Sequence, residues 1–423
     1  MGNSATLGDI FFCHPRAKFY MLIDSFINIY RIVLSGRLLR FSTILVVLMA
    51  LSTSCLERYH PDDLYLRDGL LVINAHITDQ VGVQTIEISR SANIEGPRFE
   101  PEMDCFVLLS REDGESMEFR ISELPGHYTA DLDADFLSTG LQYQLQVITG
   151  DGKEYLSDFD QIRPVPAIDS IYYKVESRQI NGDEGAVTGI RFYVDFTYDN
   201  EDYEFIRWDL TETYEFHNPD MEAWVYYSRW RNGPLEGEDN PKVCYLTHPI
   251  PSVHSISTKH LDPGTFTRAF DFIPYDKLDQ RLIYKYSLLV KQYSVGSEGF
   301  HYWNELGKNH QGQGTLFDSQ PALVKSNISN VVDESEKVLG FFTMSSMQEV
   351  RAFAEDIPGI PTSPYFYYCL PVDTGPGSNR PQNYPAYFAR ATYDGETVYA
   401  EVRKQCVDCR EYKNSTEVIP DFW

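Results

Sequence analysis

Between residues 70 and 157 the chain repeats one pattern seven times: a short run alternating apolar and polar residues, then a turn. The runs fall at 70–77, 83–89, 105–110, 116–121, 128–132, 141–148 and 154–157, separated by sequences such as Glu112-Asp113-Gly114 and Gly150-Asp151-Gly152. A period of two puts every second side chain on one face, which is the pattern of a half-buried strand. Glycine after aspartate supplies the positive φ that a tight hairpin needs. Seven such strands in succession predict an immunoglobulin-like β-sandwich. Gly140 and Tyr143 then have the spacing of a tyrosine corner. There the phenol bonds back to upstream backbone while Leu145 and Val147 point inward. The neighbouring Asp131, Asp133 and Asp135 imitate the start of a calcium loop, but Phe136 stands where the loop needs glycine and Gln142 where it needs glutamate,.

Pro164 and Pro166 disfavour helix and hold the chain extended, so residues 161–173 read as a stiff connector into a new strand,. The sandwich is expected over 68–163 and a larger β-rich domain over 167–423. Further strands are expected at 189–198, 203–214, 223–230, 282–294, 337–344, 365–370 and 398–402. One or two short helices are expected as well. Phe300, Trp303 and Leu306 recur at helical spacing, and 345–354 reads as a short amphipathic turn or two,. Long loops rich in Gly, Pro and Asn occupy 231–242, 307–330 and 371–386,. The expected fold class is mainly β throughout.

The front of the chain sets its compartment. Arg37 and Arg40 precede an apolar run over 41–51, followed by Ser52-Thr53-Ser54-Cys55. A basic region, a short apolar run and small residues describe a secretory signal. The cysteine directly after them has the shape of a bacterial lipoprotein signal, with the thiol as lipid attachment point. Residues 1–54 are thus expected to be leader and 55–67 a lipidated tether. Residues 1–36 look like an over-extended start, with Met21 as an alternative first residue. Gly2 to Thr6 also match a myristoylation pattern, which conflicts with secretion and reads as chance.

Formal net charge is −26 over 423 residues, and the leader carries more basic than acidic side chains, so its removal deepens the imbalance. Such a chain repels phosphate backbones, and a nucleic-acid partner is not expected. Hydrophobic content of 43% and aromatic content of 14% are enough for a packed core rather than a disordered chain,.

Catalytic motifs are missing from the sequence: it has no Gly-x-Ser-x-Gly elbow, His-Glu-x-x-His, Walker loop or dinucleotide fingerprint,. The chain is therefore expected not to be an enzyme and to hold no cofactor or metal. His254 and His260 sit in a Ser/Thr-rich stretch read as a loop, with no acid at ligand spacing from both. Acidic clusters at Asp199-Asn-Glu201-Asp202 and Glu236-Gly-Glu238-Asp239 read as solvated charge, although paired carboxylates across a cleft would suit glycoside hydrolysis,. Trp224, Tyr226 and Trp230 share the parity of one strand face, either packed as core or exposed as a ligand-contact platform,. Cys13 and Cys55 belong to the leader and its end, leaving Cys105, Cys244, Cys369, Cys406 and Cys409. Cys406-Val-Asp-Cys409 lacks the second pair a zinc ribbon requires. In an oxidising compartment, Cys369, Cys406 and Cys409, with Cys244 as a further candidate, are expected to supply one or two disulfides.

Several phrases together carry a family resemblance. They are Cys55, the Gly140–Tyr143 corner, Asp151-Gly152-Lys-Glu-Tyr155-x-Ser157, Pro164-x-Pro166-x-Ile168-Asp169-Ser170-Ile171, Val338-Leu-Gly340-Phe-Phe342, and the ending Cys406-Val-Asp-Cys409 with Asp421-Phe422-Trp423. In these the chain resembles the Bacteroidota outer-membrane lipoprotein family catalogued as domain of unknown function 4249. The resemblance implies a lipid-anchored place at the outer membrane, in either leaflet, beside a TonB-dependent β-barrel transporter. It implies a role in nutrient uptake as a non-catalytic accessory or ligand-capturing partner. The alternative function is a surface-anchored glycan hydrolase using Glu236 or Glu238.

Overall fold

Each strand of the N-terminal half buries alternate side chains. Leu71, Ile73, Ala75 and Ile77 point inward from β1 (Leu71–Thr78), and Ile86 and Ile88 from β2 (Gly82–Arg90). The short β3 (Glu100–Pro101) is followed by β4 (Phe106–Arg111), β5 (Ser116–Ile121), β6 (His127–Leu132), β7 (Gln142–Ile148), β8 (Glu154–Ser157) and β9 (Asp160–Gln161). The second half holds β10 (Ile168–Gln179), β11 (Ala186–Tyr198), β12 (Phe205–His217), β13 (Glu222–Ser228), β14 (Arg231–Leu235), β15 (Val243–Ser257), β16 (Gly264–Pro274) and β17 (Tyr286–Ser294). Helix α1 (Ser297–Gln311) precedes β18 (Ile328–Asn330), β19 (Leu339–Ser345), β20 (Met347–Ala354), β21 (Ala386–Tyr393), β22 (Glu396–Val402) and β23 (Ser415–Thr416). This computed structural model describes residues 69–92, 98–179, 185–198, 204–220, 222–228, 231–235, 241–259, 261–311, 324–364, 369, 385–393 and 396–423. The chain is mainly β, with α1 its one α-helix among the described residues.

Strand order in the first sheet is β18-β8-β7-β4-β5-β6-β2-β1-β19, with β3 on β2 and β9 on β7. Side chains from β1, β2 and β6 share one core with those from β4 and β7, so the path folds back on itself, with β5 common to both leaves. Tyr143 is fully buried, donates its hydroxyl to Phe136 O at 2.6 Å and accepts from Ser138 N at 2.8 Å. Leu145 and Val147 are fully buried beside it. The corner thus ties the 136–138 turn to β7. Tyr143→Phe is expected to lower unfolding free energy by about 0.5–1.5 kcal/mol, because it removes the phenol's hydrogen bonds while Phe136 O and Ser138 N keep each other as partners,. A urea titration checks this, and a change below a few tenths would show that the phenol is dispensable.

Residues far along the chain complete this sheet. Strand β19 pairs parallel with β1, from Val72 opposite Leu339 to Thr78 opposite Ser345, and β18 pairs with β8. Ile328, Val338, Phe342 and Met344 accordingly lie in the N-terminal core. From Arg67 to Trp423 the chain forms one compact unit.

The second half packs the β10-β11-β16 sheet against β20-β17-β12-β15-β23 around Phe192, Trp208, Phe270 and Tyr286. A fourth sheet, β14-β13-β21-β22, stands beside a smaller cluster containing Cys369 and Cys406.

Four readings of local sequence need correction, one being the loop expected over 307–330, which begins inside α1 and ends in β18. Residues 347–354 form edge strand β20 rather than helical turns. A short apolar pattern does not distinguish the two periods, and pairing with β17 decides it,. Residues 231–235, expected as loop, form β14. His254, also expected in a loop, is buried on β15. Pro249 and Pro251 obscure that strand; Pro251 falls where the pairing with β12 shifts register between Trp208 and Leu210, and Pro249, opposite Thr211, lies beyond the stretch that pairs with β23,. The expected strand at 365–370 falls outside the described residues except for Cys369.

Candidate functional site

The side chains that β1 and β2 turn away from their core form one wall of a groove. Asn74 and His76 project from β1 and Thr85 and Glu87 from β2, each at the parity opposite to the buried Ile and Ala positions. His127 joins them from β6, and Phe341 and Thr343 from β19. The opposing wall comes from the second half: Arg207 and Asp209 on β12, and Tyr302, Trp303 and Leu306 on α1. The enclosed volume is about 540 Å³. Sites of that size commonly lie where two packed layers meet.

Helix α1 is held in place by aromatic contacts. Phe300 stacks on Phe205 at 4.7 Å, and Tyr302 on Phe341 at 4.7 Å. Gly307 lets the helix lie close to β15, where an added Cβ would come within 3.2 Å of Val253 Cβ. This contact fixes the wall against which a guest would rest.

Arg207 is the electrostatic centre. It is 3% exposed, with its guanidinium 3.9 Å from the Trp303 ring centroid and 5.0 Å from that of Tyr293. Its Nη2 donates to Asp209 Oδ2 at 2.5 Å and approaches His76 Nδ1 at 3.4 Å. A guanidinium can only donate, so His76 Nδ1 is the lone-pair nitrogen and Nε2–H faces Ser345 Oγ at 3.3 Å,. Loss of hydration, with Arg207 alongside, holds His76 well below the ordinary imidazole value,. His76 is therefore neutral and locked in one tautomer at pH 7. Across the groove, Asn74 donates to Glu87 Oε1 at 3.4 Å, and His127 Nε2 lies 3.6 Å from Glu87 Oε2. Arg207 Nε and Trp303 Nε1 are buried donors without a protein acceptor. Donors in that state cost stability and are retained where a site uses them. The arrangement offers carboxylate and amide partners beside aromatic side chains, which suits recognition of a guest.

Of the residues singled out from sequence, Trp303 and Leu306 line this groove, while Phe300 packs beneath the helix. Trp224 and Tyr226 lie elsewhere, half-buried on one face of β13; Tyr226 meets Phe388 edge-on at 5.0 Å. Trp230, Glu236, Glu238, His260, Cys55 and the cluster 199–202 lie outside the described residues. The four cysteines proposed for bridges pair as Cys244–Cys409 and Cys369–Cys406. Cys105 keeps a half-buried free thiol. Sequence reading passed over Asn74, His76, Glu87, Arg207 and Asp209. One signal was available: Arg207 interrupts the apolar run Phe205-Ile206-Arg207-Trp208, where a charge is costly unless it is used,.

A family model described as Domain of unknown function (DUF4249) matches residues 57–351. No curated protein matches. Among solved structures, one described as the complete structure of manganese lipoxygenase of Gaeumannomyces graminis and partial structure of zonadhesin of Komagataella pastoris is 8% identical. It covers 55% of this chain and 90% of its own, with a TM-score of 0.15. Another, the BSP domain of a biofilm associated protein, is 9% identical over 70% of this chain and 61% of its own, with a TM-score of 0.13. At those scores neither likeness bears on fold or function.

Proposed function

We propose, from the premise that the chain belongs to the DUF4249 family, that it is a lipid-anchored outer-membrane protein serving a TonB-dependent nutrient transporter. It captures or holds a ligand beside the β-barrel and performs no chemistry on it. The groove between the outer face of β1 and β2 and the wall of β12 and α1 carries this reading. Its polar groups engage one another, Arg207 with Asp209 and His127 with Glu87, while Asn74 and the aromatic residues of α1 line the same groove. Recognition needs no more than this, whereas catalysis needs a reacting pair held at a defined separation. The order β1-β2-β6 against β4-β7-β8, with the corner on β7, supports reading the N-terminal half as an immunoglobulin-like sandwich,. Cys55 is the attachment point for lipid.

Affinity purification from gently solubilised membrane is expected to bring down a TonB-dependent barrel in stoichiometric amount. Metabolic labelling with an alkyne fatty acid is expected to tag the wild type, and Cys55→Ala should lose both label and membrane association. A protein that purifies alone and cleaves a polysaccharide panel would instead favour the hydrolase reading with Glu236 or Glu238.

A further inference from the structure

A second cavity, of about 260 Å³, lies between β15 and β16 and shares no lining residue with the groove. No ladder among the described residues joins these two strands: β15 pairs with β12 and β23, and β16 with β11. The gap between them opens onto apolar walls formed by Phe192, Leu210, Ile250, Phe270 and Leu288. The space exceeds the roughly 150 Å³ that holds a benzene ring.

The polar end of the cavity is built around Glu212, which is 1% exposed and shares the inward parity of Ile206, Trp208 and Leu210 on β12. Tyr286 donates its hydroxyl to Glu212 Oε2 at 2.6 Å, His248 Nε2 lies 2.7 Å from Oε1, and Arg281 Nη1 lies 3.5 Å from Oε1. Burial and the Glu212 charge raise the Tyr286 phenol well above its ordinary value, so it stays a donor,. A carboxylate offers about four acceptor positions, and these three contacts leave one. Asp271 stands at the other side of the cavity, pulled down to about 2 chiefly by the neighbouring His254. Arg281 is the one Lys or Arg among the lining residues, and its Nε lies 3.5 Å from Asp279. Arg268 also acts on Asp271, but its guanidinium sits over the Trp208 ring at 5.7 Å and does not line the cavity. The lining thus holds two carboxylates, Glu212 and Asp271, with one guanidinium, Arg281, and the His248 imidazole, and its aromatic faces favour a cation.

We infer that this cavity is a binding site for a small apolar molecule carrying one cationic amine, with its body against Phe192 and Phe270 and its ammonium toward Glu212 and Asp271. A carboxylic acid of the same size would bring a like charge beside Glu212 and Asp271 and is rejected,.

Calorimetric titration of the purified full-length chain at pH 7 tests this with two probes of matched shape, phenethylamine and 3-phenylpropionate. The amine is expected to bind one per chain with a dissociation constant below about 1 mM, and the acid at least tenfold more weakly. Ile250→Phe, which fills the half-buried wall without touching the charged cluster, is expected to weaken the amine at least tenfold while leaving the thermal midpoint unchanged. Asp271→Asn is expected to weaken it about threefold or more. The inference is overturned by an absence of amine binding at millimolar concentration, by equal or tighter binding of the acid, or by amine binding that Ile250→Phe does not alter. Since no groove residue is changed, these outcomes are independent of transporter association.

Discussion

Removing the Cys244–Cys409 bridge by double alanine substitution is expected to lower unfolding free energy by about 3–5 kcal/mol. The bridge joins residues 165 apart in sequence, so it removes many conformations from the unfolded chain,. It is also the anchor of the C-terminal tail. Both sulfurs are fully buried beside Phe216, and the tail then adds β23 to β15 through Tyr245–Thr416 and Leu246–Ser415. Beyond it, Trp423 packs edge-on against Tyr245 at 5.3 Å and Arg351 lies 3.4 Å from the Phe422 ring centroid. Those contacts are weak singly and depend on the tail being held nearby. The Cys369–Cys406 bridge spans only 37 residues and is expected to contribute about 1 kcal/mol less on loop-closure grounds,. Parallel denaturant titrations decide both numbers. Hydrogen exchange over 415–423 should rise in the first variant only; a loss below about 1 kcal/mol there would contradict the assigned role.

Gly340→Ala is expected to cost at least about 3 kcal/mol and to detach β19 from β1. Gly340 has φ +87 and pairs with Ile73, and a Cβ built on it would lie 2.1 Å from Ile73 O. Backbone cannot yield there as a flexible side chain would. The substitution therefore breaks the parallel ladder, withdraws Phe342 and Met344 from the N-terminal core, and moves Phe341 and Thr343 at the groove. Faster amide exchange along β1, with loss of stability in urea, is the expected signature. Val332→Ala, at a site 91% exposed, serves as control and should stay within about 0.5 kcal/mol of the wild type,. Equal behaviour of the two variants would show that the β1–β19 pairing contributes little. This close approach also gives a physical reason for glycine in the Val338–Phe342 phrase.

Strands β1, β2 and β4 to β8 were legible because burial with period two is written locally, and so was Tyr143, whose partners lie five and seven residues upstream. Strand β15 was not, because its prolines argue against a strand until pairing with β12 places Pro251 in a bulge and Pro249 on an edge free of β23. Strand β20 was not, because an edge strand exposes polar residues and loses its alternation. At the groove, Trp303 was visible through helical spacing, while Asn74 and Glu87 looked like any outward-facing strand residues. Nothing local marks them as facing Arg207.

The mainly β class, the positions of most N-terminal strands, the family, and the cysteines available for bridging can be read from local sequence. These depend on side-chain chemistry and on periods of a few residues, which the chain carries wherever it is read. The folded core is what bridges all four cysteines, joining Cys244 to Cys409 and Cys369 to Cys406, returns β19 parallel to β1, and brings Arg207 to His76. Those pairings bring together residues remote in sequence, and each is selected by the packing of a whole core. No short stretch of the chain contains the burial and hydrogen bonding that make one pairing better than the others.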